Sequence, residues 1–218
     1  MTFVDYSHQS AIFNPTHFGW HVSVIGLGGI GSAVLLPLVK LGIKELSIWD
    51  DDEVVSHNIP NQMIYRPQDV GLSKVDAAVD VLRPYGALIK ANPSRVNAET
   101  ELQGVVIAGV DSMESRRQIW EAVHLNPMVP LYLDGRIGGE FVELYACNPS
   151  DTDEASWYEQ TLFGDEEAAP LPCSARAVIH PTIILAGLMI TRLTLFARDL
   201  AAPKVVQVHL PTFSFIAQ

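Results

Sequence analysis

The chain has 218 residues, a formal charge of −11, 48% apolar and 18% charged residues, a composition that excludes disordered and fibrous classes. Its length suffices to bury roughly 70% of the unfolded surface without disulfides or metal. With 25 Asp and Glu against 14 Lys and Arg, it has no basic stripe for a nucleic-acid backbone. Two cysteines, Cys147 and Cys173, are too few for a secreted disulfide framework or a four-cysteine zinc site, so a reducing cytoplasm is expected. The start, Met1 to Tyr6, lacks a basic stretch followed by an apolar run, so no signal peptide is expected.

Val22 to Ile25 is a β-branched run ending in glycines, and Ala33 to Leu41 has helical composition. Lys44 to Asp50 alternates as a second strand, completing a right-handed βαβ unit. Pro37 falls inside the helix and is expected to cost it a hydrogen bond or kink it. Asp51 to Gly71 reads as a long loop of the kind that is functional or mobile. Ser73 to Leu82 reads as a helix, Leu88 to Ala91 as a third strand, Gly104 to Val110 as a buried fourth, and Ser112 to His124 as the helix after it. Val129 to Leu133 and Phe141 to Cys147 are further strands, joined by a glycine-rich turn at 134–139 and therefore antiparallel. Asn148 to Pro172 is acidic, without period, and reads as a surface excursion. Thr182 to Ala197 is apolar but interrupted by Arg192 and shorter than the roughly 20 residues of a membrane span, so it reads as a buried helix or subunit interface. Lys204 to Leu210 is a last strand. No repeat or linker divides the chain, and one domain over 1–218 is expected, with an arm at 1–19 and an acidic crossover loop at 148–176.

Gly26-Leu27-Gly28-Gly29-Ile30-Gly31 is a G-x-G-x-x-G between a strand and a helix. There, glycines allow close backbone approach and the helix N-terminus offers free N–H groups to a phosphate. The alternative is a merely tight turn. Asp50, 24 residues after Gly26 at a strand end, could accept ribose hydroxyls or cap a loop. These two features leave a nicotinamide dehydrogenase and an ATP-using enzyme unseparated.

The segment from Asp50-Asp51-Asp52-Glu53 through Ser56-His57-Asn58 to Asn61-Gln62 is followed by Gly71-Leu72-Ser73-Lys74 and by Gly109-Val110-Asp111-Ser112 with Arg116. Together these motifs resemble the ThiF/MoeB family, within the superfamily of ubiquitin-activating enzymes, in colinear order from about Tyr6 to Ala197. The resemblance implies a doubly wound, mostly parallel Rossmann-like α/β sheet with antiparallel C-terminal strands. It also implies an adenylyltransferase using ATP and Mg²⁺ to activate the C-terminal carboxylate of a ubiquitin-like or sulfur-carrier protein ending in glycine, and a homodimer built on the glycine-turn helix and the late apolar helix. By family position, Gly26, Gly28, Gly29 and Gly31 cradle the nucleotide and Asp50 holds its ribose, with Asp52 beside it. Asn58, Asn61 and Gln62 line the phosphates, Lys74 stabilises charge, Asp111 helps hold magnesium, and Ser112 beside it binds the nucleotide.

Read without the family, Lys74 is a solvated lysine at a helix start and Asp111 a helix cap. Arg116 or Arg117 could reach the phosphates or be a surface charge. The chain departs from the family at Asn61 and His8, where two arginines are usual; neither replacement is a fixed bidentate cation. Paired C-x-x-C motifs are absent, so no structural zinc is expected. Cys173 matches a crossover-loop cysteine that can accept the activated acyl group, or is a small buried hydrophobe; Cys147 reads as core. The rival readings are a dimeric nucleotide-binding module that has lost turnover and an NAD(P)-dependent oxidoreductase. Neither nucleic acid nor membrane is expected as a partner.

Overall fold

The structure is a computed structural model that describes residues 4–164 and 178–218. Its frame is one eight-stranded sheet in the order β3-β2-β1-β4-β5-β6-β7-β8. The parallel half consists of β1 (Val22–Ile25), β2 (Glu45–Trp49), β3 (Leu88–Asn92), β4 (Val105–Ala108) and the first part of β5 (Leu131–Gly138). The antiparallel half adds β6 (Phe141–Cys147), β7 (Val205–His209) and β8 (Ser214–Ala217). Every residue of β1 and β4 is buried, as expected of strands covered on both faces.

One face carries α1 (Gly29–Leu41), α2 (Lys74–Leu82) and α5 (Ile179–Phe196), and the other α3 (Met113–Val123) and α4 (Thr152–Glu159). Helix α1 begins at the glycines, four residues before the sequence suggests, and ends at Gly42, whose φ of 105° is left-handed; such a glycine closes a helix without steric cost. Pro37 lies in the helix interior, beyond the first turn where it would be harmless.

Helix α5 is long and apolar enough by composition to cross a membrane. It instead buries Leu185, Ala186, Met189 and Leu193 in the same core as α1. The apolar character of α1 is therefore accounted for inside one chain, and what α5 leaves exposed is mainly Ile183 and Ile184.

Two expectations fail. The glycine-rich stretch 134–139 is not a turn: β5 runs through Gly138 and pairs with β6 from Tyr132↔Cys147 to Gly138↔Phe141. A Cβ on Gly135 would lie 2.4 Å from Met189 Cε, so that glycine serves the close packing of α5 on the strand. The acidic segment, read as a surface excursion without period, contains α4, whose N-cap Asp151 accepts the N–H groups of Asp153 and Glu154 and whose Ala155 and Tyr158 are buried. Strand β8 also has no counterpart in the sequence reading.

Candidate nucleotide site

The strand order reverses between β1 and β4, and the connections from their C-terminal ends diverge there to opposite faces of the sheet. Open α/β sheets bind ligands at such a switch point. Here it forms a cleft of about 100 Å³ lined by Gly26, Asp50, Asp52, Arg95 and Asp111 among others. A larger groove, about 890 Å³, lies at the N-terminal ends of β1 to β3 and shares only Trp49 with the cleft. It exists because the β3-to-β4 connection carries no helix, and it stands at the wrong end of the strands for this chemistry.

The glycine turn is compact by necessity. Gly26 has φ +80°, and a Cβ on Gly31 would sit 1.9 Å from the Gly26 carbonyl oxygen. The turn is clasped from outside: the Leu27 N–H donates to Asp50 Oδ2 at 2.6 Å, and Tyr65 Oη donates to the Leu27 carbonyl at 3.0 Å. Tyr65 was not singled out by the sequence, and no local pattern marks it. Burial first, then the carboxylates of Asp50, Asp52 and Asp69, holds its phenol above the usual range, so it stays a neutral donor.

Lys74 is not the solvated lysine of the motif-free reading: it is 5% exposed. The backbone explains its position. Glu53 and Ser73 pair in an isolated antiparallel bridge, the Val54 N–H donates to the Leu72 carbonyl and the Lys74 N–H to the Asp52 carbonyl, folding the loop back so that the first residue of α2 faces the end of β2. Its ammonium lies 2.7 Å from Asp52 Oδ2 and 3.5 Å from Asp50 Oδ1. Burial pushes the Asp50 carboxyl up, against the pull of Lys74 and of the Leu27 and Asp52 N–H groups.

Across the cleft, Asp111 follows β4 and is exposed. It is not the helix cap: Ser112 holds that position, its Oγ accepting the Ser115 N–H at 3.1 Å. That duty occupies the hydroxyl assigned to the nucleotide, while Asp111 forms no ion pair among the described residues.

Arg116 is a correction. It is 3% exposed and reaches no phosphate position, because its guanidinium donates to Asp134 Oδ1 at 2.7 Å and to the carbonyls of Val110, Ser112 and Gly135. It braces the loop that carries Asp111. Arg117 is not a free surface charge either, since it donates to the Phe163 carbonyl.

The loop 56–65 packs on the first turn of α1, where the Met63 N–H donates to Ser32 Oγ. Within it Asn58 is buried, its Oδ1 accepting the Val55 N–H, and Asn61 donates to the His57 carbonyl. Gln62 is buried with Oε1 lacking a partner, so its amide remains to be satisfied. Gly28 has no neighbour within 4 Å of a built Cβ, whereas Gly29 would meet Thr182.

His8 is brought to none of these. It is exposed in a 3-10 turn, and its neighbour Gln9 donates to the Leu41 carbonyl. That is the far end of the 13-residue α1, about 18 Å of helix from the glycine turn. Cys173 lies outside the described residues. Cys147 is core, its thiol pushed up by burial.

Arg95 was missed, although residues just after a parallel strand are the ones the switch-point rule selects. Its Nε donates to Asp51 Oδ2 at 2.8 Å on the cleft rim.

Fold and site together define a doubly wound α/β domain whose glycine turn, strand-end carboxylates and buried lysine converge on the switch point. The model described as the ThiF family matches residues 17–215, and the chain belongs to that family. It is similar to the NEDD8-activating enzyme E1 catalytic subunit of Dictyostelium discoideum, 32% identical over 114 residues, 50% of this chain and 26% of that protein. Ubiquitin-like modifier-activating enzyme 5 of Caenorhabditis elegans is 36% identical over 94 residues, 43% of this chain and 20% of that protein. Among solved structures, E. coli MccB with AMPCPP and MccA superposes with a TM-score of 0.72 at 15% identity, covering 94% of this chain and 65% of that one. The aligned stretch is thus about a quarter or less of the two curated relatives' lengths.

Proposed function

We propose that this chain is an ATP-dependent adenylyltransferase that activates the C-terminal carboxylate of a ubiquitin-like or sulfur-carrier protein ending in glycine, in the cytoplasm. The observation that carries the reading is the buried Lys74, clamped beside the glycine turn to Asp50 and Asp52, which line the switch-point cleft together with Asp111. A dehydrogenase needs the turn and Asp50 but gives Lys74 and Asp111 no task. The names of the relatives support activation of a ubiquitin-like protein.

In this reading, N–H groups at the start of α1 hold the nucleotide phosphates and Asp50 accepts the ribose hydroxyls. A carboxylate oxygen of the partner's last residue attacks the α-phosphorus. The bond from that phosphorus to the pyrophosphate oxygen breaks, leaving an acyl adenylate and pyrophosphate. Lys74 exchanges Asp52 for the α-phosphate and stabilises the charge that develops there. The oxygen-only donors fit a magnesium ion, with Asp111 the carboxylate left to hold it, since it has no ion pair among the described residues while Asp50 and Asp52 share Lys74 and Asp51 pairs with Arg95. Such an ion would offset phosphate charge. Any later transfer to a thiol falls to Cys173 or to another protein.

A second reading, nucleotide binding without turnover, is favoured by Asn61: a neutral amide bonded to its own loop stands where the family has a guanidinium. Calorimetry with ATP plus Mg²⁺ and, in parallel, with NAD⁺ and NADH tests the class. The expected result is ATP binding lost in Asp111→Ala, followed by pyrophosphate–ATP exchange that requires the partner. Binding of NADH alone overturns the reading, and ATP binding without exchange selects the second one.

A further inference from the structure

The groove at the N-terminal ends of β1 to β3 has a polar floor. Alternate residues of a strand share a face, so Ser23 of β1, Ser47 of β2 and Lys90 of β3, which are register partners, form one row across it. His21, just before β1, lies with Glu45 and Leu88 in the row below. The opposite face of the same strands carries Val22, Val24, Leu46 and Ile48, all in the core. The wall of the groove is the connection into β4, and it is fixed. Asn126 Nδ2 donates to the Leu102 carbonyl at 3.0 Å, Asn126 Oδ1 accepts the Met128 N–H at 2.9 Å, and the Gly104 N–H donates to the Met128 carbonyl at 2.8 Å.

Several groups of this surface have no partner. Ser23 is 1% exposed and its hydroxyl bonds to nothing among the described residues. Lys90, Glu45 and the wall residue Glu101 form no ion pair among the described residues. Ser47 is held by the His21 ring at 2.8 Å, and burial lowers the pKa of that ring from 6.5, so at pH 7 it adds no charge. The groove thus offers one cation on β3, carboxylates on β2 and on the wall, and hydroxyls beside them. Lys90 and Glu45 are diagonal neighbours, which strand spacing and rise put roughly 8 Å apart at Cα. Two residues of extended chain span about 7 Å.

We propose that this groove is a second ligand site, for a short peptide of two or three residues with both ends free. Its carboxylate pairs with Lys90, its ammonium with Glu45, and its peptide groups with the hydroxyls of Ser23 and Ser47. Leu88 and Met128, 68% and 59% exposed, receive its side chains. A neutral sugar leaves both signs of charge unanswered, and a phosphate meets more carboxylates than cations. The volume, about 890 Å³, lies within the usual range of small-ligand pockets. The site shares only Trp49 with the nucleotide cleft and does not depend on the proposed activity.

Calorimetric titration of the 218-residue chain with the dipeptides Gly-Gly, Leu-Ala, Phe-Ala, Lys-Ala and Asp-Ala tests it. Binding of at least one is expected. Acetylating the amino end of that dipeptide, or amidating its carboxyl end, each weakens binding about tenfold or more, the scale of a hydrogen bond to a charged group. Lys90→Met reproduces the loss caused by amidation and Glu45→Gln the loss caused by acetylation. Both residues are exposed, so the thermal midpoint stays as in wild type. Saturating ATP with Mg²⁺ leaves the dipeptide bound. No binding by any of the five at millimolar concentration overturns the proposal. So does binding that is indifferent to both variants, or a dipeptide that ATP displaces, which belongs to the nucleotide cleft.

Discussion

The sheet carries two carboxylate–cation clusters, one carboxylate between two guanidinium groups and one ammonium between two carboxylates, of opposite character. In one, Asp134 is fully buried on β5 and its oxygens accept Arg116 Nε at 2.7 Å, Arg136 Nε at 2.8 Å and Tyr158 Oη at 2.9 Å. The remaining guanidinium groups are spent on carbonyls and on Thr161, and Arg136 lies over the Tyr145 ring. In the other, Lys74 bridges Asp50 and an Asp52 side chain that is 62% exposed, beside an open cleft. A saturated cluster sealed from solvent has no valence left for a ligand and serves architecture. A cluster with an exposed partner can exchange that partner for a phosphate. Both are built on Asp carboxylates paired with cations, and burial with hydrogen-bond saturation decides the role.

Breaking the sealed cluster gives the largest effect. Asp134→Ala leaves two buried guanidinium groups uncompensated and is expected to lose about 3–5 kcal/mol in urea unfolding, with collateral loss of activity because Arg116 braces the Asp111 loop. Lys74→Met should invert the pattern. Pyrophosphate exchange falls by roughly two to three orders of magnitude, the scale of removing one charge-stabilising donor, while the urea midpoint moves less than in Asp134→Ala because Asp52 can turn to water. Equal stability losses would erase the distinction between the clusters.

Tyr65→Phe removes one hydrogen bond to the Leu27 carbonyl. About 1 kcal/mol of stability is expected to go, with a higher KM for ATP at little-changed kcat, readable from initial rates. The smallest effect concerns pH. Burial lowers the pKa of His21 from 6.5, with Glu45 opposing and Lys90 assisting, and its ring bonds Ser47 Oγ at 2.8 Å. The unfolded chain therefore takes up a proton near pH 6.5 and the folded chain only at lower pH. The stability due to neutral His21 is complete above that value and is lost as pH falls through the window beneath it. Thermal midpoints between pH 7.5 and 5 should decline less steeply in His21→Gln than in wild type.

Local signals were enough for much of the fold. β-branched runs, the glycine turn and the spacing of carboxylates located β1 to β4 and the switch-point residues, because each rests on neighbours within a few positions. The reading of 134–139 as a turn failed because glycine was taken for flexibility when Gly135 answers the approach of α5, some fifty residues later. Helix α4 had a local sign in Asp151 and Glu154, a cap with an acid three residues on, but its weak apolar period hid it. Arg116 was misjudged for a different reason: the partner that buries it, Asp134, is 18 residues away and lies on the next strand.

The sequence by itself determined the family, the parallel βα order and which side chains could meet a nucleotide, since these depend on short motifs and strand ends. Tertiary structure alone decided that Lys74 is buried between two carboxylates, that Ser112 and not Asp111 caps α3 and that Tyr65 holds the glycine turn. Each of those depends on what packs against a residue from a distance along the chain. Burial and hydrogen-bond saturation are properties of contacts, and no window of sequence contains them.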